Sequence, residues 1–191
     1  MPACFLALAQ WTHASWLPAG RAPRTERARA EALSHLLGQY PQLLELGTSC
    51  TPWLAIPLPR SAFARLLRAS AALSCAHSLC LVVSASAREQ FQRDSGLSLL
   101  AAVQSHARAT QPDLPLGAPL DSFDRRQLTA AGLAIALTAA SGAAQRQWLQ
   151  LRLPVPCVEA AERFRCADLS AQDALALVGD TLALTREEPR P

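Results

Sequence analysis

Apolar positions recur along this chain mainly at helical spacing. Leu33, Leu36, Leu37 and Tyr40 fall three or four residues apart. That spacing predicts one apolar stripe on a helix over 23–39, with Pro23 suited to its first turn and Pro41 closing it. Ser61 is an N-cap residue type, and after it Phe63, Leu66 and Leu67 face away from Arg65 and Arg68, which predicts an amphipathic helix. Ser86 and Glu89 fit a capping box for the next helix. Gly96 marks a break or a close contact, and Leu97, Leu100 and Val103 continue at helical spacing to His106.

The second half has a different texture. Asp121 or Ser122 is the expected cap of a helix in which Leu128, Gly132, Ile135 and Ala139 form one stripe and Leu133 and Leu137 lie beside it. Apolar side chains nearly surround this segment, and Ala130, Ala131, Gly132, Ala134 and Ala136 are small enough for neighbours to approach closely. It is therefore predicted to be the central core helix, with Trp148 packed against it. Residues 150–154, QLRLP, alternate polar and apolar and are the best candidate for a short strand or extended exit. Short helices are expected over 158–164 and 171–178, the latter capped by Ser170, and a polar tail over 185–191 is expected to fray.

Two proline-dense stretches read as irregular connections. Residues 51–60 carry Pro52, Pro57 and Pro59, and residues 111–120 carry Pro112, Pro115, Pro119 and Gly117. Proline removes amide donors and fixes the backbone, so neither stretch suits a helix interior. No repeat organises the chain. The expected fold is mainly α: a single compact helical domain over 1–191 with at most a short strand or two.

Composition narrows the function classes. With 191 residues, half of them apolar and 17% charged, the chain can bury a core and is not a disordered polymer. All 18 basic residues are arginine, so lysine-dependent phosphate loops and Schiff-base chemistry are excluded. The first 110 residues hold more arginine than acid and the remainder slightly more acid than arginine, for a formal net charge of +3. Two stretches, 69–87 and 127–145, run 19 residues without a charge, near the ~20 that a spanning helix needs. Their serines, threonines and alanines favour buried helices over membrane spans.

No segment assembles recognisable catalytic chemistry. Cys75 and His77 are two residues apart, about 200° round a helix, and cannot converge on one ion. Cys157 and Cys166 have no nearby histidine. The first twenty residues lack a basic start and carry Trp11 and Trp16 where a cleavage region should be small, so a reducing cytosol with free thiols is expected. There is no Gly-x-Ser-x-Gly elbow, His-Glu-x-x-His helix or glycine-rich phosphate loop. The expectation is a protein without catalytic, cofactor-binding or metal residues.

Partner-binding candidates are fewer. Arg21, Arg24, Arg27 and Arg29 fall at about 0°, 300°, 240° and 80° round a helix, wrapping it rather than forming a stripe. Glu26 and Glu31 can pair with them, and aromatics do not interleave with the arginines as single-stranded nucleic acid binding would favour. The group reads first as a solvated helix start and second as a contact for an acidic protein partner. Trp11 and Trp16 lie outside any strong helix and are candidate interface anchors.

The run Gly132-Leu133-Ala134, then Ala139-Ala140, then Trp148-Leu149-Gln150-Leu151-Arg152-Leu153-Pro154 resembles the C-terminal half of the K-component family of bacterial type III secretion sorting platforms. The specific likeness covers about 123–154. The chain length, the leucine-rich helix after Ser61 and the proline-marked connection agree in pattern. Resemblance to that family implies a mainly helical, cytosolic, non-enzymatic adaptor at the cytoplasmic face of the inner membrane of a Gram-negative bacterium. Its implied partners are the cytoplasmic domain of the inner-membrane ring protein and the pod protein of the platform. The implied membrane association is peripheral, through proteins, with no nucleic acid and no small-molecule substrate. The alternative on residues alone is a helical regulatory or nucleic-acid-binding module.

Overall fold

The computed structural model describes residues 8–18, 20–47, 58–117, 122–164, 166 and 168–187, and among them every regular element is a helix. Residues 8–11 are helical and lead into a 3₁₀ turn, Ala14–Trp16. Then come α1 (Glu26–Gln39), a 3₁₀ run Pro41–Gly47, α2 (Arg60–Ser74), α3 (Ala76–Leu79), α4 (Ala85–Ser95) and α5 (Leu100–Ser105). A 3₁₀ turn at Ala107–Thr110 precedes α6 (Arg125–Ala139), α7 (Ala143–Leu151), α8 (Val155–Ala161) and α9 (Ala171–Glu187).

The helix starts differ from those expected. α1 begins at Glu26 because Thr25 Oγ1 accepts from the amide of Ala28 at 3.2 Å, leaving Pro23 in the entry strand of chain. α2 begins one residue before Ser61, behind Pro59, with no side-chain cap. Ser84, rather than Ser86, caps α4. Asp124, rather than Asp121 or Ser122, caps α6, its Oδ1 accepting from the amides of Arg126 and Gln127 at 2.8 and 2.9 Å; Asp121 lies outside the described residues. Ser170 does cap α9, through the amide of Asp173.

The strand considered at 150–154 is absent. Gln150 and Leu151 close α7, and Arg152 and Leu153 continue as a turn with their side chains buried. The alternation that suggested a strand instead reflects a helix end whose polar member, Arg152, is also inside.

α6 is the centre of the larger core. Every residue from Leu128 to Ala136 is buried, and α2 crosses it over the broadest helix contact among the described residues, with α9 against both and α8 against α6. Gly132 sets the crossing distance: a Cβ there would lie 1.9 Å from the Leu67 carbonyl oxygen and 2.8 Å from its Cα. The helices meet backbone to backbone. Polar groups in this interior are satisfied within their own helices, as Ser70 donates to Leu66 O, Ser74 to Ala71 O and Thr181 to Leu177 O.

A smaller cluster joins Leu8, Leu17, Leu36, Leu43, Leu46, Ala144 and Leu151. Here the expected stripe of α1 is used: Leu36 is fully buried, with Leu33, Leu37 and Tyr40 packed around it. Trp16 and Trp148 touch both clusters. No helix of the described residues is long and apolar enough to cross a membrane; the uncharged stretch at 69–87 is broken at Cys75 and that at 127–145 after Ala139. α9 runs through Thr185 and Arg186 to Glu187, into the stretch expected to fray.

Candidate functional site

The densest arginine group lies beside a groove. Between the end of the first 3₁₀ turn and the first two turns of α1 the surface encloses about 680 Å³. Leu17, Pro18, Ala28 and Ala32 give it an apolar lining, and Arg21, Arg24 and Glu31 supply its charged groups. Leu17 and Ala32 are buried against the smaller cluster, while Arg21 and Arg24 are exposed.

The four arginine candidates therefore divide. Arg21 and Arg24 line the groove. Arg27 and Arg29 stand one residue either side of Ala28, about 100° round the helix, and flank it. Arg27 Nε donates to Glu31 Oε1 at 2.9 Å across one helical turn. Four arginines against two glutamates, Glu26 and Glu31, leave this surface positive.

The two tryptophan candidates turn towards the fold. Trp16 Nε1 donates to Leu153 O at 2.7 Å, and its ring meets Tyr40 edge-on at 6.4 Å. Trp11 lies 5.8 Å from the Arg152 guanidinium. Both are half-buried. His13 N donates to Leu151 O at 2.7 Å and Val155 N to Ser15 Oγ at 3.2 Å, so this segment is stitched along the end of α7. Burial, and secondarily Arg60, lower the His13 pKa.

Sequence reasoning missed Arg152. It is 4% exposed, yet no carboxylate among the described residues meets it. Its guanidinium lies 3.9 Å from the centroid of Phe63 and 5.8 Å from Trp148, and donates to Leu58 O. Burial, and then the neighbouring Arg60, push its pKa down to about 10, so it stays charged at neutral pH. Arg60 in turn donates to Gln10 O and Thr12 O. Around Arg152, aromatic faces and the Leu58 carbonyl oxygen thus stand where an anion would, and its Nε is buried without an acceptor. A single arginine between Leu151 and Leu153, four residues after Trp148, was the available signal; its other partners, Trp11, Leu58 and Phe63, lie far away in sequence.

Three of the described thiols are chemically quiet. Burial raises Cys75 and Cys157 to about 11 and raises Cys166 as well, so at neutral pH they remain protonated. Cys4 and Cys50 lie outside the described residues, as does Trp53. Cys75 sits at the break between α2 and α3, while His77 Nδ1 is 3.2 Å from Ala109 O. Among the described residues no three of His, Cys, Asp and Glu gather as metal ligands.

The most exposed large apolar side chains among the described residues are Leu81, at 81%, and Val83, at 70%, in the turn after α3. The same turn is anchored beneath: Gln104 Nε2 donates to Leu79 O and Val82 O. Comparisons with family models, with curated proteins and with solved structures return no match.

Proposed function

We propose that this protein is a non-enzymatic adaptor of a type III secretion sorting platform, joining the cytoplasmic domain of the inner-membrane ring protein to the pod protein. The observation that carries the reading is the groove beside α1: apolar floor, arginine at its edge, and a location away from the α2–α6 frame. Such a surface suits a partner segment that offers apolar side chains flanked by carboxylates, with charge steering the encounter and the floor contributing the burial. The resemblance over 123–154 supplies the family, and that segment forms α6, α7 and the turn at Arg152.

An adaptor needs a second contact. The turn carrying Leu81 and Val83 is built on the larger cluster, through Cys80 and Val82, whereas the groove is built on the smaller one. The two surfaces therefore answer separately to mutation.

The test is co-purification with the two partner proteins of the same bacterium. Arg21→Glu with Arg24→Glu should abolish capture by the ring domain and leave the pod protein bound. Leu81→Ser with Val83→Ser should do the reverse, and both double variants should reduce substrate secretion. A wild-type protein that binds neither partner overturns the reading, and salt-dependent retardation of duplex DNA would move it to a nucleic-acid-binding module.

A further inference from the structure

The strap that crosses the end of α7 is held by bonds that need one histidine neutral. Leu8 and Leu17 bury its two ends in the smaller cluster. Between them His13 N donates to Leu151 O, Trp16 Nε1 to Leu153 O, and Val155 N to Ser15 Oγ. The 3₁₀ turn Ala14–Trp16 has His13 as its cap, and the cap works through a bare imidazole nitrogen: the amide of Ser15 donates to Nδ1 at 3.2 Å. Ser15 Oγ lies 2.9 Å from the same atom. Because that oxygen already accepts from Val155 N, its hydroxyl proton is left for Nδ1, and the imidazole carries its own proton on Nε2.

An imidazolium has no acceptor. A proton on Nδ1 would face the Ser15 amide donor to donor, and the Ser15 hydroxyl would have to turn its proton away. The new charge would also meet no anion. Arg60, from the start of α2, donates to Gln10 O and Thr12 O of the strap, and Arg152, from the end of α7, stands 5.8 Å from Trp11. Tyr40, at the end of α1, meets Trp16, and α8 brings the Val155 amide. No ion pair among the described residues joins a carboxylate to His13, Arg60 or Arg152. Burial first and Arg60 second lower the His13 pKa from 6.5, so the imidazole is neutral at pH 7. Since the folded value lies below the unfolded one, the stability is full above about 6.5 and is lost as pH falls through the folded value.

We propose that His13 is a proton-operated latch: neutral, it holds the turn that carries the strap over α7, and protonated, it releases that turn and with it the wall of the groove formed by Leu17 and Pro18. Acidification then weakens docking in the groove, a consequence that rests on the docking reading. The latch itself is a property of the free protein.

The test follows the full chain by amide and indole NMR between about pH 7.5 and pH 5, above the carboxylate pKa values. The Ser15 and Val155 amides and the Trp16 indole should shift together at the midpoint of the His13 imidazole, below 6.5. Protection of Ser15, Trp16 and Leu17, corrected for the intrinsic pH dependence of exchange, should fall about fivefold, as loss of a cap implies. His13→Asn keeps a side-chain acceptor that does not titrate, so its strap should stay protected across the range. His106 caps the turn Ala107–Thr110 in the same way, accepting from Arg108 N at 3.1 Å, and His106→Asn should leave the strap's response as in wild type. Strap signals that do not follow the His13 imidazole, or the same loss of protection in His13→Asn, overturn the latch. Capture of the ring protein's cytoplasmic domain that is equally strong at both ends of the range overturns the role of the latch in docking, whereas failure to capture it at any pH overturns the docking reading and leaves the strap signals as predicted.

Discussion

The two hydrophobic clusters are built on opposite principles. Around α6 the interior is limited by shape: alanines and Gly132 let α2 approach until backbone meets backbone, and no space remains for another atom. Around α1 the interior is limited by area: a few leucines, with Leu8, Leu36, Leu43 and Leu151 fully buried, carry the contact, and polar stitches at Trp16, His13 and Arg152 fix it to the rest. The first region breaks when atoms are added, the second when they are removed. The proposed docking groove belongs to the second, where fewer contacts must be kept and surface can be spared for a partner.

Mutation can break that contrast, starting with its largest expected effect. Gly132→Val should cost about 4 kcal/mol, beyond the ~1–3 typical of overpacked sites, because the obstacle is the Leu67 backbone and not a movable side chain. Denaturant unfolding measures it, and a wild-type midpoint would show that the helices separate freely. Leu36→Ala should cost about 3 kcal/mol and release α1 before α6, seen as amide exchange that speeds in 26–39 first; uniform acceleration would mean one cooperative unit.

Arg152 probes the junction between the regions. Arg152→Ala should cost about 2–3 kcal/mol, since Leu58 O loses its donor and three rings lose their filler, whereas Arg152→Met, which leaves Leu58 O equally without a donor, should cost only about 1 kcal/mol because it keeps the stem against the rings and removes an unneutralised charge. Equal losses in both would show that the charge itself matters. Thr25→Ala removes the cap of α1 and should cost about 1 kcal/mol, read from the same melts.

The smallest effect is a pH dependence. The Asp124 pKa is lowered by the Ser122 hydroxyl first, then the Gln127 and Arg126 amides and the Arg126 charge. A depressed carboxylate contributes stability that is full above its unfolded pKa of about 4 and fades as pH falls through the folded value. Asp124→Asn should therefore flatten the acid limb of the stability profile and leave the neutral limb parallel to wild type. An unchanged acid limb would remove Asp124 as its source.

The central helix was legible because a segment apolar on all sides has few places to go except inside, and its glycine marked the crossing. The stripe on α1 was legible for the same reason at lower density. Helix starts were off by two or three residues where several hydroxyl or carboxyl side chains compete, as at Ser84 and Ser86 or Asp121, Ser122 and Asp124; packing chooses among acceptors that look alike locally. The turn at 152–153 was misread because alternation implies an exposed face, and Arg152 has none. In the candidate site, arginine density was visible, but the division of the four required Leu17 and Ala28 to meet across 11 residues.

The most direct test is amide exchange across the whole chain, alone and with the ring protein's cytoplasmic domain in excess. New protection is expected only in the groove segment, residues 20–32, with α2 and α6 slow to exchange in both states and the pattern lost in Arg21→Glu with Arg24→Glu. Protection that appears elsewhere while 20–32 stays unchanged would contradict docking at the groove.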